Sequence, residues 1–173
     1  MISTDEWEQR LTELLPLYGH RNWIVIADAA YPLQASAGIT TISTEVDHIT
    51  IVERTLALIE ASSHIRAKVH IDKELDWLTE EDANGITQLR QRLFKLMDRS
   101  KMQIMPHEEI IESLDDAARL FSVLIIKTRM NLPYTSVFLQ LDCGYWNEDA
   151  EDRLRSAMMA GVGEQQPRTK KNK

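Results

Sequence analysis

Two side chains able to do chemistry bracket one apolar run in the stretch Tyr18–Pro32, YGHRNWIVIADAAYP: His20 lies three residues before it and Asp28 directly after it. An imidazole with its ordinary pKa of about 6.5 gives and takes a proton near neutral pH. A carboxylate accepts hydrogen bonds from hydroxyls or holds an imidazole in place. Together they suit proton transfer on a small polar ligand. The run between them, Trp23–Ala27, has the length and β-branching of a strand buried on both faces. Asp28 then stands at a strand's carboxyl end, where open α/β sheets bind ligands. The same position suits a turn former, because an Asp side chain bonds nearby backbone N–H groups. Position alone leaves the two roles open.

Other chemistries find little support. The one Gly-x-Gly, Gly161-Val162-Gly163, follows no strand and fails the test for a phosphate-cradling turn. The five histidines are scattered without H-E-x-x-H or Cys/His spacing, so neither metal nor cofactor is expected. His48 at a helix start, His64 in a connection and His70 on a half-exposed strand are expected to be solvated. Cys143 has no basic sequence neighbour that would mark a thiolate. As the single cysteine it cannot form an internal disulfide, which fits a reducing cytoplasm. The formal net charge is −7, and residues 161–173 carry four basic side chains against one acid, so the rest of the chain stands near −10. Such an acidic body excludes a nucleic-acid surface. No apolar run approaches the roughly 20 residues of a membrane span, and MISTDEWEQRL places acids where a signal peptide needs a basic start.

Periodicity predicts the elements that position these groups. Ser3-Thr4-Asp5-Glu6 reads as a capping box, opening a helix with Trp7, Leu11, Leu14 and Leu15 near one face that Pro16 and Gly19 end. Further helices are expected from Asp47 or Thr50 to about Ser62, from Thr79 to about Arg99, over Glu108–Leu120 and over Glu148–Met159. Strands are expected over 23–28, 39–43, 66–72, 102–105, 123–128 and 136–141, with a loop over 29–36. Strands alternating with helices predict a three-layer α/β/α fold with a largely parallel central sheet. Residues 1–160 make one domain in this reading, and 161–173 a disordered basic tail.

Gly19-His20, the apolar strand, Asp28-Ala29 and Pro32 resemble the opening of the D-ribose pyranase / L-fucose mutarotase family. IIKTRMNLPYTSVFLQL (Ile125–Leu141) resembles that family's closing strand, loop, Tyr-x-Asn and second strand, and MQIMPHEEI its segment with a second histidine, here His107. The likeness frames residues 18–141, though only about forty positions carry it. The chain departs from the pattern at Ser136, which replaces the Asn, at Arg129 and Met130, which replace a Gly-Glu, and at Ile111, which replaces a basic residue.

The resemblance implies a mutarotase, which opens and recloses a cyclic hemiacetal without metal or cofactor. It makes His20 the proton donor and has Asp28, His107, Tyr134 and Ser136 contact a free monosaccharide, ribose- or fucose-like. Tyr145 and Trp146 fit packing or interface contact better than sugar stacking. Eight residues of extended chain put His20 and Asp28 roughly 26 Å apart at about 3.3 Å each. Either Gly19–Trp23 doubles back over the strand, or the two residues serve pockets that other protomers complete. The family's ring-like homo-oligomers, with sites between subunits, imply the second. A non-catalytic sugar-binding or assembly protein on the same fold is the alternative.

Overall fold

WIVIA and VLIIK have no polar face on their first four positions, and both strands lie inside a six-stranded sheet where each face is covered. The computed structural model describes residues 6–164. Its sheet has the order β2-β5-β1-β6-β3-β4. β1 (Trp23–Ala27) pairs in parallel with β5 (Val123–Lys127), Trp23 opposite Val123, and β2 (Ile39–Ser43) flanks β5 in parallel. β6 (Val137–Cys143) runs antiparallel to both β1 and β3 (Ile65–Asp72), and β4 (Gln103–Met105) pairs in parallel with β3. The sheet is therefore mostly parallel, with β6 as its one reversed strand among the described residues.

Helices flank it on both sides, as the alternation of elements predicts. Trp7 and Leu11 of α1 (Glu6–Leu14), Ile51 and Ile59 of α2 (His48–Glu60) and Leu93 of α3 (Ile86–Leu96) pack against Ile24, Ile126 and Leu139. Ile110, Leu114 and Ala118 of α4 (His107–Ala118) cover Trp23, Val25, Ile125 and Phe138 on the other side. Each fully buried Ile or Leu contributes about 1.5–3 kcal/mol. α5 (Glu148–Glu164) is exposed along most of its length.

α4 covers the β1–β5 side of its face. On β3, Ile65, Ala67, Val69 and Ile71 join the first core, so Arg66, Lys68, His70 and Asp72 alternate onto the α4 face. β6 matches them: Phe138 lies opposite His70, Gln140 opposite Lys68 and Asp142 opposite Arg66. A polar strip thus runs along β3 from one end of the sheet to the other.

Some expectations fail for identifiable reasons. The helix predicted from Thr79 begins only at Ile86. Asp82 instead accepts the Thr79 N–H and hydroxyl, both at 2.8 Å, and Glu80 accepts the N–H groups of Gly85 and Thr87. Gly85 then takes φ +93°, a left-handed conformation that separates this turn from the helix. α5 continues through Glu164, past the helix end expected at Met159. A formed helix adds one hydrogen bond per residue and so propagates into weak formers. The Ser3 capping box and residues 165–173 lie outside the described residues.

His48 and His70, expected in solvent, are 2% and 5% exposed. His48 Nδ1 lies 2.9 Å from Thr128 Oγ1 and its Nε2 2.9 Å from the Thr135 carbonyl. The His70 ring stacks 5.0 Å from Trp23 with Nε2 on Gln140. Burial lowers the pKa of both imidazoles. His64 is half-buried, with Nε2 near the Leu15 and Tyr18 carbonyls. No helix of the described residues is long and apolar enough to cross a membrane.

Candidate functional site

Asp28 follows β1 and forms the turn that its position allowed. Its Oδ1 accepts the N–H groups of Ala30 (2.8 Å) and Tyr31 (3.1 Å), forming the turn, while Oδ2 accepts the Ser136 hydroxyl at 3.0 Å. It also lines a cavity of about 390 Å³ with Tyr31, Asp72, His107, Ile111 and Tyr134. That volume suits a small ligand. The cavity lies outside the carboxyl ends of β1 and β3 and beside the first turn of α4.

His107 is the first residue of α4, its backbone N–H bonded to the Glu74 carboxylate at 3.1 and 3.2 Å. Its Nδ1 lies 3.0 Å from Asp72 Oδ1, so Nε2 is the ring nitrogen Asp72 does not engage. Tyr134 stands edge-on to this ring at 5.7 Å. Its φ of +56° is left-handed, a conformation costing an ordinary residue about 1–2 kcal/mol. His48 holds the loop that imposes it, through Thr128 at one end and Thr135 at the other.

Asp72 was not among the anticipated residues. Its side chain is fully buried, and Oδ2 has no hydrogen-bond partner among the described residues. Burial raises the carboxyl to about 6, helped by the charges of Glu74 and Asp28, while the His107 contact opposes the rise. The signal was in the sequence: Asp72 closes a strand at its carboxyl end, as Asp28 does.

Ser136, expected as a ligand contact, lies behind Asp28. It is 1% exposed, and its hydroxyl both donates to Asp28 Oδ2 and accepts the Asp28 N–H at 3.2 Å. It braces Asp28 from behind and does not line the cavity.

His20 lies at the other end of β1. Its Nδ1 is 2.8 Å from Asp142 Oδ1, and its side chain is 59% exposed. It lines a separate cavity of about 550 Å³ with Arg66, Lys68, Asp142, Trp146 and Arg155. The Gly19–Asn22 turn folds onto β6, Arg21 N–H reaching the Leu141 carbonyl at 3.0 Å, and does not double back along β1. Within one chain the structure therefore joins Asp28, His107 and Tyr134 and leaves His20 apart. Tyr145 is 78% and Trp146 43% exposed, so neither packs into this chain's core. Among the described residues, no group of three or more His, Cys, Asp or Glu is placed to hold a metal ion.

A mostly parallel sheet flanked by helices, with a cleft outside the carboxyl ends of β1 and β3, defines an α/β fold. The chain belongs to the RbsD / FucU transport protein family, whose model matches residues 2–143. Among solved structures it is similar to Bacillus subtilis RbsD complexed with D-ribose, at 23% identity over 77% of this chain and 91% of that one, TM-score 0.52. FucU from Bifidobacterium longum matches at 15% identity over 78% and 94%, TM-score 0.54. The fucose mutarotase from Streptococcus pneumoniae in complex with L-fucose matches at 19% identity over 82% and 93%, TM-score 0.50. No curated protein sequence matches the chain. α5 lies beyond the family match.

Proposed function

We propose that the protein is a monosaccharide mutarotase or pyranase that interconverts the anomeric or ring forms of a free aldose. The observation that carries this reading is the cavity at the Asp28 end, where the Asp28 and Asp72 carboxyl groups, the His107 imidazole and the Tyr134 ring converge. The family, and the ribose and fucose held by two structural neighbours, support the same ligand class.

Ring opening adds a proton to the ring oxygen, removes one from the anomeric hydroxyl and breaks the bond between the ring oxygen and the anomeric carbon. The free carbonyl turns, and the reverse steps close the ring. Protons balance, no electrons leave the substrate and no co-reactant is consumed. In this scheme His20 donates to the ring oxygen. His107, held through Nδ1 by Asp72, takes the anomeric proton at Nε2. Asp28, its carboxylate fixed by two backbone N–H groups and Ser136, orients sugar hydroxyls through its remaining lone pairs.

Because His20 and Asp28 stand at opposite ends of β1, the scheme needs His20 from a second copy. A ring-like homo-oligomer in the cytoplasm, each site drawing on adjacent chains, fulfils that need. A second reading, a non-catalytic sugar-binding or assembly protein, draws on Ser136: its buried hydroxyl is already engaged where the resembling family carries an amide.

Saturation-transfer NMR across ribose, fucose and related aldoses separates the two. Faster anomeric exchange in at least one sugar without added metal is expected. Binding without exchange moves the case to the second reading, and neither binding nor exchange ends both. Chains with His20→Ala, mixed and reassembled with chains carrying Tyr134→Phe, should regain part of the exchange. No recovery would place the site within one chain.

A further inference from the structure

We propose that Asp142 is the positioning residue for His20: it holds the imidazole as the Nδ1–H tautomer and leaves Nε2 to exchange the proton. The inference rests on the assignment of His20 as proton donor above.

The local backbone is arranged to make this contact. The Gly19–Asn22 turn closes with the Asn22 N–H on the Gly19 carbonyl at 3.1 Å, and the Asn22 side chain accepts the Gly19 N–H at 2.8 Å. Arg21 takes a left-handed φ of +76°, which an ordinary residue adopts only where surrounding contacts impose it. The Arg21 N–H donates to the Leu141 carbonyl and the Leu141 N–H to the Asn22 carbonyl, at 3.0 and 2.8 Å. These bonds extend the β1–β6 ladder to the residue before Asp142. The ladder's register therefore brings His20, which lies 122 positions away in sequence, beside that carboxylate.

Asp142 is itself held from several sides. Its side chain is 13% exposed. Oδ2 accepts Arg66 at 2.8 Å and lies 3.1 Å from Lys68 Nζ, while Oδ1 accepts the Cys143 N–H and meets His20 Nδ1, both at 2.8 Å. Arg66 and Lys68 already balance its charge, so it does not require a charged imidazole. An ionised carboxylate only accepts, so the facing Nδ1 must carry a hydrogen. In the neutral ring Nε2 is then bare; it is the nitrogen that takes up the proton and, once protonated, donates it to the ring oxygen. An unpaired His20 would be free to turn and to take either tautomer.

Trp146 and Arg155, outside the residues that the family model matches, line the same cavity as His20, and both bond Glu151.

Long-range nitrogen–proton NMR on histidine-labelled full-length protein reads the tautomer directly, with His20→Gln assigning the signal. In the neutral form His20 should be Nδ1–H, and Asp142→Asn should shift it toward Nε2–H. The same variant should slow sugar exchange by about 10²–10⁴-fold, as for other groups that orient a catalytic imidazole. A wild-type Nε2–H tautomer overturns the proposal without any variant. So does an Asp142→Asn protein whose tautomer changes while its exchange rate does not. The tautomer is measured without sugar, so its outcome is separable from that of the mutarotase reading.

Discussion

Two histidine–aspartate pairs stand at opposite ends of the sheet, with nearly equal contacts of 3.0 Å (His107–Asp72) and 2.8 Å (His20–Asp142) and opposite electrostatics. Asp72 is fully buried, one of its oxygens has no partner among the described residues, and burial lifts its carboxyl to about 6. Burial also pushes Asp142 upward. There, however, Arg66, the Cys143 N–H, Lys68 and His20 together outweigh it and hold the carboxyl well below the usual range. The pairing with histidine does not by itself set the character of either carboxyl: burial sets that of Asp72, and Arg66, the Cys143 N–H and Lys68 set that of Asp142. One end of the sheet has a carboxyl that exchanges its proton close to neutrality. The other has a permanent acceptor that fixes an imidazole.

The largest effect that separates the two ends is expected from His20→Ala, which should lower the exchange rate by about 10²–10⁴-fold, the usual worth of a positioned acid–base group. Folding should change little, since the side chain is mostly exposed. A wild-type rate would mean the Asp28 end performs both proton transfers alone.

Asp72→Asn comes next, and its sign follows from the raised carboxyl. Native Asp72 keeps its proton up to about pH 6, whereas the unfolded chain releases it near the ordinary 3.8. Between those values the native state binds more protons, so this group's contribution to stability falls as pH rises. The stability difference, variant minus wild type, should therefore grow from pH 4 and level off above pH 6, reaching on the order of 2 kcal/mol. Urea denaturation across that range measures it. A difference flat with pH would show that burial does not raise the Asp72 carboxyl.

The smallest effect should come from Ser136→Ala. Asp28 keeps its two backbone donors, so the loss is about 1 kcal/mol of stability, with a few-fold weaker sugar binding. Titration by NMR checks the binding. A loss as large as that of His20→Ala would make Ser136 a direct participant and not a brace.

Much of the fold was legible because it rests on local apolar patterning. The runs Trp23–Ala27 and Val123–Lys127 could be satisfied only inside a sheet, and the spacing of Trp7 and Leu11 or Ile110 and Leu114 only by helices with one buried face. Asp28 was readable as a candidate because it ends a strand, and His107 and Tyr134 because they sit in segments that resemble the family's, and the fold does bring the three together. Other features left weaker traces. The alternation of Arg66 to Asp72 showed one polar face, but not that His70 would lie against Trp23 or that Asp72 would meet His107. His48 looked like a solvated helix start because nothing nearby in sequence records the Thr128–Ser136 loop that covers it. Side-chain periodicity is a property of each segment and survives in the sequence. Which polar groups become neighbours depends on strand order, and β6 lying reversed between β1 and β3 is what sets Asp142 beside His20, while β3 and β4 side by side carry Asp72 to His107.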